Sequence, residues 1–211
     1  GAALSIVHSG GVGSTKITNS DFAYNVAESA LYFSLGSADF YNVRIYENEN
    51  NAVHGGYGGM KFYNSIIHNN GGYGFYNASC YLYNSVVTNH PNQNIFISDN
   101  SNIYANNSII YTEGTSETYL DNNNLNASYS NIHVADNIQD YDGEGNININ
   151  PEFNNNDFSL GIHSPCIDHG NPDIWYNDID QTRNDMGAYG GPFFNTSLPG
   201  DNNTSYNFGV I

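Results

Sequence analysis

The chain is 211 residues long, enough for one sizeable domain with a core, and carries a formal net charge of −17 with Lys16, Arg44, Lys61 and Arg183 as its permanent cations. So acidic a surface repels phosphate backbones, which excludes nucleic acid as a partner and disfavours anionic membranes and polyanionic glycans unless a divalent cation bridges. No run is long and apolar enough to span a bilayer as a helix, so no membrane insertion is expected, and Gly1-Ala2-Ala3 reads as a processed or trimmed start.

Asn, Tyr and Gly dominate, while Lys, Arg and Leu are scarce. Asn and Gly tolerate left-handed backbone and suit tight turns, whereas Tyr and β-branched residues suit pleated surfaces. Along the chain Asn19, Asn42, Asn64, Asn84, Asn107 and Asn131 recur at gaps of 23, 22, 20, 23 and 24 residues. A period of that size with strand-like flanks marks a solenoid.

With these asparagines in register, the position two residues earlier holds Ile17, Phe40, Phe62, Leu82, Ala105 and Tyr129. The position four earlier holds Thr15, Ala38, Met60, Cys80, Ile103 and Ala127. Both columns face inward by the period-2 rule of a strand. The columns between them then face outward: Tyr41, Tyr63 and Tyr83 in one, and Lys16, Asp39, Lys61, Tyr81 and Tyr104 in the other. After each Asn, Phe22, Ile45, Ile67, Val87, Ile110 and Val134 point in, while Asp21, Arg44, Ile66, Val86, Ile109 and His133 point out. A third apolar segment follows half a turn later at Leu31–Phe33, Val53, Phe75, Ile95–Ile97 and Tyr119–Leu120.

Strand, Asn corner, strand, loop, strand is the unit of an all-β parallel β-helix, and the spacing predicts about six to eight coils stacked about 4.8 Å apart. Equivalent asparagines would lie above one another in a buried corner, their amides hydrogen-bonding along the stack, as a structural ladder rather than a ligand site. The repeat fades after about residue 136, so residues 1–192 read as one β-helix domain with an irregular closing module at 150–192. Residues 193–211 read as a polar tail: a linker, or a strand that pairs with a neighbouring molecule at an open solenoid end.

The closing module carries Asn150-Pro151-Glu152-Phe153, Asp157-Phe158-Ser159-Leu160, Ser164-Pro165-Cys166-Ile167-Asp168-His169-Gly170, Asp178-Ile179-Asp180, Arg183 and Asp185-Met186-Gly187-Ala188-Tyr189. In order and spacing this string resembles the terminal segment of secreted bacterial right-handed parallel β-helix proteins of the pectate-lyase-like superfamily. The resemblance implies a right-handed winding and an extracytoplasmic setting, and fixes no activity. Gln181 stands where that pattern has Gly, and Gly190 where it has Glu; both departures weaken any metal site carried over from that loop.

Three chemistries are weighed against bland alternatives. Asp140, Asp142 and Glu144, at alternate positions among Gly143, Gly145 and Asn146, offer calcium oxygen ligands in a flexible loop, or form a solvated acidic turn. A second acidic loop holds Asp173, Asp178, Asp180 and Asp185, with an Asp185–Arg183 ion pair as its structural explanation. The Tyr41–Tyr63–Tyr83 column, with Tyr81 and Tyr104 beside it, offers rings to sugar faces and hydroxyls to sugar hydroxyls, or stiffens the surface by stacking. Catalysis is the third. Arg44 near Asp21 and Lys61 near Asp39 read as isolated surface pairs, no outward column clusters carboxylates, and His68 and His133 fall in different columns.

Cys80, at a core position, reads as a buried free thiol, with a bridge to Cys166 left open. Sequons at Asn77, Asn106, Asn126, Asn195, Asn202 and Asn203 matter only in a host that glycosylates them. The sequence therefore suggests a non-catalytic structural or adhesive module, secreted or at a cell surface, which binds polysaccharide through the Tyr face or assembles end to end with copies of itself. It needs no cofactor, with calcium as the optional one. The competing class is a polysaccharide lyase or glycoside hydrolase of the β-helix superfamily.

Overall fold

The computed structural model describes residues 2–7, 14–55, 59–96, 101–112, 124–133, 141–154 and 157–194. Short strands, none longer than seven residues, wind into rungs. The first rung is β1 (Ala2–Val7), β2 (Ser14–Thr18) and β3 (Asp21–Ala23), and the second is β4 (Ser29–Leu35), β5 (Ser37–Tyr41) and β6 (Arg44–Tyr46). The third is β7 (Asn51–His54), β8 (Met60–Tyr63) and β9 (Ile66–His68), and the fourth is β10 (Tyr73–Tyr76), β11 (Cys80–Tyr83) and β12 (Val86–Thr88). The fifth is β13 (Gln93–Phe96), β14 (Ile103–Asn106) and β15 (Ile109–Tyr111), and β16 (Leu125–Ser128) with β17 (Asn131–Ile132) begins a sixth.

Stacked rungs form three parallel sheets: sheet A in the order β1-β4-β7-β10-β13, sheet B in the order β2-β5-β8-β11-β14-β16, and sheet C in the order β3-β6-β9-β12-β15-β17. This is the expected parallel β-solenoid. From β1 to β13 the chain returns to sheet A four times, about four complete turns and fewer than the six to eight expected. Tyr119–Leu120, Ile97, Val134 and the tail from 195 onward lie outside the described residues.

Sheets B and C meet at a one-residue corner. Asn19, Asn42, Asn64, Asn84 and Asn107 all hold φ between 44° and 52°, the left-handed region that Asn tolerates better than other non-Gly residues. Each donates its backbone N–H to the next rung, as from Asn42 to the Tyr63 carbonyl at 3.0 Å. The last coil corrects the expected register. Ile109 pairs with Asn131 and Ala105 with Ala127, so Tyr129, at φ 48°, occupies the corner, and Asn131 lies two residues beyond it on sheet C. The same shift brings His133 to the level of Tyr111, with ring centroids 4.8 Å apart, so His68 and His133 share one outward column after all.

Just inside this corner runs a serine ladder. Ser65, Ser85, Ser108 and Ser130 each donate Oγ–H to the carbonyl two residues back and accept the backbone N–H of the rung before, at 3.1 to 3.3 Å. Asn146 Oδ1 closes the series by accepting Ser130 N–H at 3.0 Å.

The amide ladder lies at the other corner, between sheets C and A. Asn25 Nδ2 donates to Asn48 Oδ1, and Asn48 Nδ2 to Asn70 Oδ1, both at 2.7 Å. Asn70 Nδ2 reaches His90 Nε2 at 3.1 Å, so His90 carries its proton on Nδ1, 3.0 Å from Asn94 Oδ1. Inside, Phe40 stacks on Phe62 at 4.6 Å, with Phe33 and Phe75 edge-on to them. Met60, Leu82, Ile67 and Ile103 fill the axis, and Cys80 is buried there as a free thiol, unbridged to Cys166.

Sheet C corrects a second expectation. Ile66, Val86 and Ile109 point away from the axis as expected, yet they are at most 1 % exposed. The closing module, with its antiparallel β18 (Phe153–Asn154) and β19 (Ser159–Leu160), lays Phe158, Cys166, Met186 and Ala188 over them. Burying each aliphatic side chain contributes roughly 1.5–3 kcal/mol.

Three of the corner asparagines, Asn64, Asn84 and Asn107, fasten this cover. Asn64 Nδ2 donates to the carbonyls of Ala188 and Gly190, at 3.0 and 2.7 Å. Asn84 Nδ2 donates to Asn184 Oδ1 and the Asp185 carbonyl, and Asn107 Oδ1 accepts from Asn171 N–H at 2.7 Å. The close approach explains Gly190: a Cβ there would stand 2.0 Å from the Asp185 carbonyl oxygen.

Candidate functional site

Sheet B is largely left open, reached only at its edge by Tyr176 and by Phe193 edge-on to Tyr63 at 6.2 Å, and its outward side chains are the tyrosines of the sequence reading. Strict in-register pairing puts Tyr41, Tyr63 and Tyr83 in one column and Tyr81 and Tyr104 in the next. Their rings pack on each other. Tyr41–Tyr63 centroids are 4.6 Å apart at 6°, Tyr63–Tyr83 5.0 Å at 13°, and Tyr81–Tyr104 4.8 Å at 13°.

This geometry changes what the row can bind. Rings stacked face to face present edges and hydroxyls to solvent, so no sugar ring can lie on a face within the row. Free faces exist only where a stack ends. Above Tyr83 the column continues with Asn106, and above Tyr104 with Asn126, so the two stacks end on adjacent rungs of sheet B, at β11 and β14.

Across these rungs lies a groove of about 660 Å³. Its floor is Tyr81, Tyr83 and Tyr104, continued by Asn106, Asn126 and Ser128. One end is closed by Tyr141, Asp142 and Gly143, and a side by Tyr176. Tyr141 is fixed by its hydroxyl, which donates to the Leu125 carbonyl at 2.8 Å. Tyr176 ends a 3-10 helix, Ile174–Tyr176, which Asp173 caps by accepting Trp175 N–H. Trp175 beside it is 80 % exposed, and Tyr104 on the floor 42 %.

Burial raises the phenol of Tyr63 to about 12 and shifts those of Tyr41 and Tyr83 upward too, with neighbouring tyrosines or carboxylates adding to the effect. Those hydroxyls stay protonated and serve as hydrogen-bond donors and acceptors.

The acidic loops are placed as follows. Asn146 Nδ2 donates to the carbonyls of Ala127, Tyr141 and Asp142 and so shapes the 141–146 turn, leaving Asp142 and Glu144 exposed. Asp140 lies outside the described residues. Among the described residues no group of three His, Cys, Asp or Glu is placed to hold a metal ion.

In the second acidic loop each carboxylate braces backbone. Asp178 accepts the N–H groups of Asp185 and Gly191, Asp180 accepts from Thr182, and Asp185 accepts Asp168 N–H at 2.7 Å. Burial raises Asp178 to about 6 and Asp185 in the same direction. Arg183 forms no ion pair with Asp185; it donates to the carbonyls of Gly170 and His169, at 2.7 and 3.3 Å.

Two of the other cations, Arg44 and Lys16, are also engaged. Arg44 binds Asp21 in a two-pronged pair, at 3.0 and 2.8 Å, and Lys16 Nζ lies 4.7 Å above the Tyr41 ring. Cys166, with its thiol pushed up to about 11 by burial, sits on the module's inner face, 3.2 Å from Asn131 Nδ2. Sequence reasoning found the groove floor but missed its walls, Tyr141 and Tyr176. The signal for the second wall was Ile174-Trp175-Tyr176, three large side chains in an otherwise polar loop. Compared with protein-family models, curated proteins and solved structures, the chain matches none.

Proposed function

We propose that the chain is a non-catalytic carbohydrate-binding β-helix module, secreted or displayed at a cell surface. The observation that carries this reading is the pair of tyrosine stacks ending in one groove with amide and hydroxyl neighbours. Free ring faces suit the apolar face of a pyranose, and Asn106, Asn126, Ser128 and the tyrosine hydroxyls suit its hydroxyls. The resemblance of the closing module to pectate-lyase-like β-helix proteins supports the extracellular setting. A polysaccharide lyase would gather a cation and carboxylates in one cleft, whereas Arg44 and Lys16 are held by Asp21 and Tyr41 away from the groove. Calorimetric titration with a panel of neutral and amino oligosaccharides tests the reading: binding that Tyr104→Ala abolishes supports it, and no heat from any sugar overturns it.

A second copy of the chain is the other partner with an observation behind it. β1, β2 and β3 are edge strands of their sheets among the described residues, and the inward Leu4, Ile17 and Phe22 beside them are only partly buried. Such edges accept strand addition. Concentration-dependent growth of the sedimentation coefficient would support end-to-end stacking, and a constant monomer value would exclude it.

A further inference from the structure

The Tyr41–Tyr63–Tyr83 column has two ends, and they differ. At the first, the Lys16 ammonium stands 4.7 Å from the Tyr41 centroid. A ring face carries negative potential, so this placement is favourable. The outward aromatic column of sheet C begins the same way, with the Arg44 guanidinium 5.6 Å from the Tyr46 centroid and His68 stacked beyond Tyr46. At the other end the column passes from Tyr83 to Asn106, both of which line the groove, and none of the chain's four permanent cations lines it. Tyr104, Tyr141 and Tyr176 add further rings, and Asp142 places a carboxylate at the rim. Rings around a space, with one carboxylate and no resident cation, are the chemistry that receives an ammonium group. The net charge of −17 steers a cation toward it.

We infer that the groove takes an ammonium group, on the ring faces of Tyr83 and Tyr104 and beside Asp142. Resting on the carbohydrate reading above, this makes the ligand an amino sugar with a free amine, such as a glucosamine oligomer, rather than a neutral or uronate chain. The same ammonium chemistry could come from a quaternary amine, so the test separates the two sources.

The test is calorimetry on the full chain at about pH 6, below the range of an α-amino group. The probes are a glucosamine tetramer, its N-acetylated counterpart and choline. One cation–π contact with its carboxylate is worth about a fivefold change in affinity. We expect the glucosamine tetramer to bind about fivefold or more tightly than the acetylated one, and added salt to erase the difference. Asp142→Asn, at an exposed position, should remove that preference, so that the two tetramers bind the variant with equal affinity. Tyr104→Phe should retain it and Tyr104→Ala lose it, because a ring face rather than a hydroxyl is at work. Equal affinity for the two tetramers overturns the ammonium inference and leaves the carbohydrate reading standing. Binding of choline alone keeps the ammonium chemistry and overturns the carbohydrate source. No binding by any of the three overturns both.

Discussion

Sheets B and C come from the same repeat, have the same number of strands and meet at the same asparagine corner, but their outer faces have opposite fates. Sheet B carries tyrosines outward, whose rings cover one another while their hydroxyls reach water. Sheet C carries Ile66, Val86 and Ile109 outward, which have no polar tip and are buried under Phe158, Cys166, Met186 and Ala188. Alternation along a strand decides which side chains leave the axis. The chemistry of the outward column decides whether that face meets water or a cover. The corner asparagines stand between the two faces, and the amides of Asn64, Asn84 and Asn107 bind the cover, so face C is a structural joint and face B the available surface.

The largest expected effect is on the covered face. Ile109→Ala should cost about 2–5 kcal/mol in denaturant unfolding, because a cavity opens beneath a cover that collapses only in part. A loss within a few tenths of a kcal/mol would mean the cover is not packed on sheet C.

Acid should act on the same side of the molecule. Burial lowers His68, on the outer column of sheet C, and His90, in the amide ladder, to about 4 from an ordinary 6.5. A depressed histidine is held neutral in the folded state, so its contribution is intact above about pH 6.5 and is lost as pH falls toward about 4. His90 alone contributes on the order of 3 kcal/mol of this loss. Asp178, raised to about 6, and Asp185, also raised, work the other way by taking protons first in the folded state. His90→Asn, measured against the parent chain over the same pH range, cancels the carboxylate share and should flatten the acid limb. An unchanged limb would remove His90 from the explanation.

Gly190→Ala comes next, at about 1–3 kcal/mol, because its Cβ would strike the Asp185 carbonyl where Asn64 and Asn84 hold the module. Proteolysis confined to 141–194 should accelerate in this variant while the coils resist. At the uncovered edge of face C, Asp21→Ala should cost only about 0.2–1 kcal/mol, since the Arg44 pair is partly solvated. A larger loss would show that the outer edge of face C is stiffer than its exposure suggests.

Much of the solenoid was legible because its corner tolerates few residues. Five asparagines hold the left-handed turn, and inward columns such as Phe40–Phe62–Leu82 are apolar. The register failed in the last coil because Tyr129 takes the turn while Asn131, the obvious candidate, lies two residues on. The amide ladder was missed although Asn25, Asn48, Asn70 and His90 each stand six residues after Asn19, Asn42, Asn64 and Asn84. A histidine standing in for an amide, next to turn residues of every kind, hid the column. The tyrosines were found, but stacking between neighbours is a matter of ring orientation, which period alone does not give. The groove was out of reach because its walls come from outside the repeat: Tyr141 from the turn after the last coil, held on Leu125, and Tyr176 from the docked module.

The division of labour between the two faces is tested most directly by measuring sugar affinity and unfolding free energy together in two variants, Tyr104→Ala and Ile109→Ala. The account expects Tyr104→Ala to lose binding with a stability change under about 1 kcal/mol, and Ile109→Ala to lose stability while the folded fraction binds as before. Tyr104→Ala binding at full strength, or Ile109→Ala abolishing binding in protein that remains folded, would contradict it.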